Sequence, residues 1–299
     1  MTEELCPLLD APILDHTTLD LAAADRLTFR LRQTFRYTYV TPIEALRHQL
    51  VIVPPERHGE VYLRGARVAV AGARARRRTV RDAMGNTVVR FSVAHVEEFV
   101  EFQLHAILER VRGAGPVLLR ASALTDPRHL DPSPLTEPDD ALLRLAENAR
   151  AHGTDPMVIA EWLCAATYRR LRYEFGITTV ETTAAEALAG GRGVCQDFAH
   201  IMVSACRAAG VPARYVSGHL LSQGGTHAWV EVIVAHPDGA EAVAFDPCHG
   251  RRADASYVTV ATGRDYADVA PTSGTYARGG PGELTAYREL GLIALREVA

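Results

Sequence analysis

The stretch Thr226–Val234 alternates two kinds of side chain, and this alternation constrains the fold more than any other local pattern. One set is small and aliphatic (Ala228, Val230, Val232 and Val234), and the other is His227, Trp229, Glu231 and Ile233. A period of two residues is typical of a strand and excludes a helix. Pro237-Asp238-Gly239 then signals a turn, and Glu241–Phe245 supplies a returning strand. The sequence therefore predicts an antiparallel hairpin that carries His227 on one face.

Asp246 directly follows the returning strand of this hairpin. A hairpin centred between His236 and Pro237 would set His227 directly opposite Asp246. Other registers of the same parity keep both residues on one face but displace them along it, and the sequence leaves this choice open. In each case the carboxylate can orient the imidazole. Taken singly, the two residues are also compatible with a surface histidine and a turn-capping aspartate.

A helix is predicted over Val194–Ala209, with Cys195 in its first turn. Its apolar stripe consists of Phe198, Ile201, Met202, Ala205 and Ala209, and Gly210 and Pro212 mark its end. Free N–H groups and the positive end of the helix dipole favour a thiolate at Cys195 and can bind an oxyanion. The alternative, a small buried hydrophobe, fits Cys164 and Cys206 better. A cysteine at a helix start together with a His–Asp pair predicts a thiol acyl-transfer site.

Composition bounds the class of protein. The 299 residues are 47% hydrophobic and 23% charged, as in globular domains. The net charge of −4 gives no reason to expect nucleic acid or a membrane as partner, and no apolar run approaches the length of a membrane span. Five scattered cysteines without a Cys-x-x-Cys pair argue against disulfides and zinc ribbons. The start of the chain lacks signal-peptide features. We therefore expect a cytoplasmic protein.

The order of strand and helix signals predicts an α+β protein in four segments. Residues 1–26 form an extension, 27–112 a β-rich domain, 113–140 a proline-rich connector and 141–299 the core that bears the candidate site. Strands are predicted at Thr28–Tyr39, Gln49–Val53, Arg67–Ala71, Thr87–Val93 and Glu98–Leu108. Helices are predicted at Ala141–His152 and at Pro156–Leu171, the latter with the start signal Asp155-Pro156.

Several motifs resemble the transglutaminase-like superfamily of papain-like thiol enzymes, and in particular its bacterial branch. They are Gly193-Val194-Cys195-Gln196-Asp197-Phe198-Ala199-His200, Pro212–Gly218, His227–Val232, Phe245-Asp246-Pro247, Gly263–Pro271, and, near the start, Phe35–Tyr39 and Asp82–Thr87. The resemblance implies a β-rich N-terminal domain without a chemical role. It also implies a core whose cysteine-bearing helix packs on an antiparallel sheet that carries the histidine and the aspartate.

The resemblance further implies that Cys195 is the nucleophile, His227 the general base and later acid, and Asp246 the residue that orients His227. Three features depart from the family pattern. Gln33 replaces the usual histidine of the first strand, away from the proposed chemistry. Cys248 stands where a threonine or similar residue is common after Asp-Pro, and the returning strand Ala240–Ala244 lacks the family's frequent tryptophan.

Six further residues are candidates for substrate binding: Trp162, Gln196, His219, Trp229, Arg264 and Tyr266. Three of them also have a structural explanation. Trp162 fits a helix core, and Arg264 and Tyr266 fit an internal turn and ion-pair network, while Asp197 beside Gln196 fits the capped start of a helix. The basic run of Arg74, Arg76, Arg77 and Arg78 indicates a solvated loop or strand edge, with docking of an acidic partner as the alternative.

The expected activity is acyl transfer through a thioester on Cys195, without a cofactor, on a peptide, protein or small amide. Hydrolysis would make the protein a cysteine protease or amidase, and we favour it. Attack by an amine would make it a transglutaminase, and the same three residues serve both reactions. Two alternatives from other classes are a non-catalytic scaffold and a metal site built from Cys195, His227 and Asp246. Substrate identity and oligomeric state stay open.

Overall fold

The computed structural model describes residues 7–221 and 223–297, so Cys6 lies outside the described residues. The strands are β1 Arg26–Tyr39, β2 Ile43–Val53, β3 Arg57–His58, β4 Val61–Ala71, β5 Ala75–Arg81, β6 Thr87–Val96, β7 Phe99–Val111, β8 Val117–Leu119, β9 Arg172–Tyr173, β10 Arg192–Gly193, β11 Ala213–Leu220, β12 His227–His236, β13 Gly239–Asp246, β14 Arg251–Arg252, β15 Tyr257–Gly263, β16 Thr272–Thr275 and β17 Gly282–Arg296. The helices are α1 Pro127–Leu130, α2 Asp140–Arg150, α3 Pro156–Arg170, α4 Ala184–Gly190, α5 Cys195–Ala208 and α6 Tyr266–Val269.

Two antiparallel sheets form the N-terminal part, in the strand orders β17-β1-β7-β4-β3 and β16-β2-β6-β5. Their inner faces meet in an aromatic core, where the His48 ring stacks on Phe102 at 4.3 Å and Phe91 lies 4.9 Å from Phe102. All five strands expected in this region are present, mostly with longer bounds. The arginine run lies mainly in β5, an edge strand, so its interpretation as a strand edge is confirmed.

The end of the chain returns to these N-terminal sheets. Strand β17 pairs with β1 along its length, from Arg26 opposite Arg296 to Tyr39 opposite Gly282, and β16 pairs with β2. Leu290 and Leu292 of β17 are buried in the same core. The expected core segment 141–299 therefore needs correction at its end. Backbone hydrogen bonds to β2 and β1 place β16 and β17 among the N-terminal strands, although both follow the core in sequence.

The core consists of a six-stranded sheet in the order β14-β13-β12-β11-β15, with β8 also paired to β13, and of helices around α5. Helix α5 packs on β11 and β12, and α2, α3 and α4 surround it. The expected start of α3 is confirmed, because the Asp155 carboxylate accepts the Met157 N–H at 2.8 Å. Helix α4 was not expected. Its N-terminus has a capping box formed by Thr183 and Glu186. Among the helices of the described residues, none combines the length and apolar character needed to cross a bilayer.

Candidate active site

Helix α5 begins at Cys195, as the sequence predicts. The turn before it is tight. A Cβ atom on Gly193 would lie 2.5 Å from Asp197 Oδ2, so only glycine fits there without displacing the carboxylate. Asp197 caps the helix, because its Oδ2 accepts the Val194 N–H and the Thr178 hydroxyl, both at 2.7 Å. These contacts fix the backbone that presents the half-buried Cys195 thiol.

The predicted hairpin is present, but its register differs from the one that would set His227 directly opposite Asp246. Val230 pairs with Phe245 and His236 with Gly239, so the turn consists of Pro237 and Asp238 alone. The shift is two residues, which keeps the parity and leaves the two side chains on one face as diagonal neighbours. Diagonal neighbours are within reach of an imidazole. His227 Nε2 lies 2.7 Å from Asp246 Oδ2.

The Asp246 carboxylate is fully buried and surrounded by donors. Its Oδ2 accepts hydrogen bonds from His227, from the Tyr257 hydroxyl at 2.6 Å and from His249 Nδ1 at 2.7 Å. Its Oδ1 accepts the backbone N–H groups of Cys248 and His249 at 2.8 and 3.2 Å. Burial opposes ionisation, but His227 and the other donors outweigh it and lower the pKa of Asp246 to about 2. The group is therefore a carboxylate at neutral pH.

His227 is held between Asp246 and Cys195. Burial disfavours its charged form, but hydrogen bonds with Asp246 and with Cys195 more than offset this and raise the pKa of His227 to about 9. Because Nε2 is bound to Asp246, Nδ1 is the ring nitrogen left for the sulfur. The imidazole is thus charged at neutral pH, with one ring nitrogen hydrogen-bonded to Asp246. This arrangement suits a proton donor to a leaving group.

Two partners of Asp246, His249 and Tyr257, were missed by the sequence reasoning. The spacing Asp246-Pro247-Cys248-His249 is a local signal for the first, since an aspartate binds groups two or three residues on in a tight turn. Tyr257 lies on β15, and no local sequence pattern indicates its contact with Asp246. In the described part of the chain, His227, Asp246 and His249 also form a set of potential metal ligands within 4.8 Å of one another. The alternative metal site considered from the sequence, with Cys195 as a ligand, differs from this set.

A cleft of about 660 Å³ lies beside His227. Its lining includes Tyr168, Tyr173, Phe198, Cys248 and His249. Tyr168 and Tyr173 are 51% and 56% exposed at its rim, so the cleft opens to solvent. Strand β9, which carries Tyr173, pairs with β10 just before Cys195 and so joins the rim to the start of α5.

The other candidate residues on helices lie outside the Cys–His–Asp cluster. Trp162 packs on His152 at 5.1 Å and on Arg170, as a structural tryptophan does. Gln196 is buried and donates to the Thr179 carbonyl at 3.3 Å.

Two candidates on the strands of the core sheet are also buried. Trp229 packs edge-on against Tyr257 at 5.3 Å, with its ring 6.1 Å from His227. His219 binds the Gly225 carbonyl through Nδ1 and the Gln33 side chain through Nε2, and burial lowers its pKa to about 4. Gln33 therefore joins β1 to the core sheet, and contrary to expectation it contacts a candidate residue.

In the loop around α6, Arg264 and Tyr266 belong to an internal network, which was the alternative to a role in substrate binding. Arg264 pairs with Asp268 through two nitrogens at 2.9 Å. The Tyr266 N–H donates to His200 Nε2 at 3.1 Å. His200 is fully buried, and burial lowers its pKa to about 4. None of these side chains lines the cleft beside His227.

Comparison with known proteins agrees with this fold. The sequence model of the transglutaminase-like superfamily matches residues 144–247, and that of the bacterial transglutaminase-like N-terminal region matches residues 29–109. An uncharacterized protein of Mycobacterium tuberculosis H37Rv is 27% identical over 296 residues, which cover 86% of this chain and 89% of that protein. An uncharacterized protein of Mycobacterium leprae is 34% identical over 163 residues, covering 50% and 54%.

Among solved structures, a candidate cysteine protease from Cytophaga hutchinsonii has the same fold. Its TM-score is 0.73 at 20% identity, over 91% of this chain and 92% of the other. At this identity the likeness concerns the fold. The two sequence models assign the chain to the transglutaminase-like superfamily, with a bacterial transglutaminase-like N-terminal region in front of the core.

Proposed function

We propose that this protein is a thiol-dependent acyl-transfer enzyme that cleaves amide bonds of a peptide, protein or small amide. The observation that carries the proposal is the buried His227–Asp246 pair, 2.7 Å apart, whose imidazole has its pKa raised by Asp246 and by Cys195. In this proposal Cys195 is the nucleophile, His227 the acid and base, and Asp246 the group that orients the imidazole.

The first half-reaction forms a thioester. The Cys195 sulfur bonds to the carbonyl carbon of the substrate, and the carbonyl oxygen gains negative charge. The first N–H groups of a helix have no intrahelical acceptor, so those of Cys195 and Gln196 can bind this oxygen. The C–N bond then breaks, and His227 Nδ1 gives its proton to the leaving amine. The products are an acyl-enzyme and a free amine.

The second half-reaction releases the acyl group. Neutral His227 takes a proton from an incoming water or amine, which bonds to the thioester carbon while the sulfur leaves as thiolate. Water gives hydrolysis, and an amine gives transglutaminase-type amide formation. We favour hydrolysis because the rim residues Tyr168 and Tyr173 leave the cleft open to solvent.

Alkylation with iodoacetamide near neutral pH tests whether Cys195 is a reactive thiolate. We expect selective labelling of Cys195, identified by mass spectrometry, and a slower rate in a His227→Ala variant. Cys164 and Cys206 serve as internal controls, because burial raises the pKa of Cys164 to about 12 and that of Cys206 still further. A Cys248→Ser variant is the matched control within the same cleft. Equal and slow labelling of all cysteines would refute the proposal and favour a non-catalytic scaffold.

Measuring how the acyl group divides between water and an amine distinguishes hydrolysis from amide formation. The full chain is incubated with an unfolded protein substrate and a fluorescent primary amine. Hydrolysis predicts new peptide termini and little incorporation of the amine, both abolished in Cys195→Ser. Incorporation that exceeds cleavage would favour transglutaminase-type chemistry. We also propose a cytoplasmic location, which the free thiols of Cys164, Cys195, Cys206 and Cys248 support.

A further inference from the structure

The outer face of the sheet β16-β2-β6-β5 is an arginine surface. Its strand register sets two rows of residues side by side: Thr275, Arg47, Ser92 and Arg76 in one, and Ser273, Gln49, Arg90 and Arg78 in the next. The four guanidinium groups and the hydroxyl side chains between them line a hollow of about 620 Å³. All four arginines of this basic face are exposed.

The positive charge of the basic face is not neutralised within the chain. None of its four arginines has a carboxylate oxygen within 4.0 Å in residues 7–221 and 223–297. Elsewhere on the protein, exposed arginines such as Arg64 and Arg252 pair with glutamates. The two rows contain no acidic residue, although the whole chain has a net charge of −4.

The basic face ends at an open sheet edge. Strand β5 is the last strand of its sheet and pairs only with β6 within the described residues. Its outward N–H and C=O groups can therefore pair with an added strand. Arg76 and Arg78 lie two residues apart on this edge, so an added strand would set alternate side chains beside them.

We propose that the basic face and the β5 edge bind an extended acidic segment of a partner protein, which adds as a strand beside β5. Alternate glutamates or aspartates of that segment would pair with Arg76 and Arg78. The hollow between Arg78, Arg90 and Arg47 would take a further carboxylate, since guanidinium groups bind carboxylates through two nitrogens.

Two other occupants fit the surface less well. A second copy of this chain paired through the same edge would bring β5 arginines next to β5 arginines, and like charges on facing strands repel. A single-stranded nucleic acid would need aromatic rings for base stacking, and the two rows contain none, since Phe91 points into the core.

The experiment measures binding of a fluorescein-labelled peptide of about ten residues, a common strand length, by fluorescence anisotropy with the full chain. The peptide alternates glutamate and threonine. A peptide of the same composition with its glutamates grouped in one half, and an oligo-dT strand, are the competing probes. We expect the alternating peptide to bind best, and its affinity to fall with added salt because the pairs are exposed.

Charge reversal tests the site. An Arg76→Glu/Arg78→Glu variant should weaken binding of the alternating peptide by about tenfold or more. The matched control is Arg144→Glu/Arg150→Glu, which makes the same charge change on exposed positions of α2 and should bind as the original chain does. Unchanged iodoacetamide labelling of Cys195 shows that the edge variant is folded. Absent peptide binding, equal loss in both variants, or tighter binding of oligo-dT would each overturn the proposal.

Discussion

Replacing Asp246 with asparagine should remove the charge that keeps His227 protonated. The pKa of His227 is raised from 6.5 to about 9, which corresponds to about 3 kcal/mol in favour of the imidazolium. Burial works against this charge, and contacts with Asp246 and Cys195 support it. Without the carboxylate, burial stays and the principal support is lost. We expect the pKa of His227 to fall to about 7 or below.

The same substitution should also reverse the tautomer of neutral His227. Asparagine can use its oxygen for the backbone N–H groups of Cys248 and His249, which now bind Oδ1 of Asp246. Its NH₂ group then faces His227 Nε2, which must accept. The ring proton moves to Nδ1, on the side of Cys195, and the imidazole can no longer take a proton there. The rate of acyl transfer should fall on the order of a thousandfold.

Nitrogen NMR of protein labelled at histidine measures both effects without a substrate. The His227 signals are identified by their loss in His227→Ala and followed as the pH is raised. Asp238→Asn, in the exposed turn of the same hairpin, is the matched control and should leave the titration unchanged. A pKa of His227 that stays near 9 in Asp246→Asn would show that the carboxylate does not set its charge.

Three further changes have expected outcomes. Tyr257→Phe removes one hydrogen bond to Asp246 and should lower the free energy of unfolding by about 1 kcal/mol, measured by urea titration. Glu231→Gln leaves the buried Arg214 without its charged partner and should cost about 3 to 5 kcal/mol. Burial opposes ionisation of Glu231, but the Arg214 charge helps to lower the pKa of Glu231 to about 2. The stability that ionised Glu231 contributes is therefore present above pH 4.5 and is lost as the pH falls towards about 2. The difference in free energy of unfolding between the original chain and the variant should shrink over the same range. Gly218→Ala places a Cβ 2.4 Å from the Trp229 ring, so it should lower the thermal midpoint and slow alkylation of Cys195.

Local patterns in the sequence predicted the elements that carry the site. Cys195 starts a helix because glycines precede it and an apolar stripe follows, and both signals lie within a few residues. The alternation around His227 likewise fixes a strand and the face on which the histidine lies. The parity of the hairpin was enough to place Asp246 on the same face, although its register differs by two residues.

The remaining features depend on contacts between residues that are distant in sequence. Tyr257 reaches Asp246 because β15 pairs with β11 on the far side of β12, and no periodicity reports that strand order. Strand β17 is exposed over its first residues and buried at Leu290–Ile293, and nothing in its sequence says that its partner is β1. Likewise, Gln33 contacts His219 only because the first strand lies against the core sheet.

The pairing of β17 with β1 has a consequence for synthesis of the chain. Strand β1 leaves the ribosome well before β17, because the whole core sheet lies between them in sequence. Until Gly282–Arg296 has been made, one long edge of β1 has no strand beside it. Such an edge favours pairing with other nascent chains, and closure over this sequence separation is slow. We therefore expect β1 to be the segment for which a chaperone matters most during translation, and a ribosome stalled before residue 282 to expose it longest.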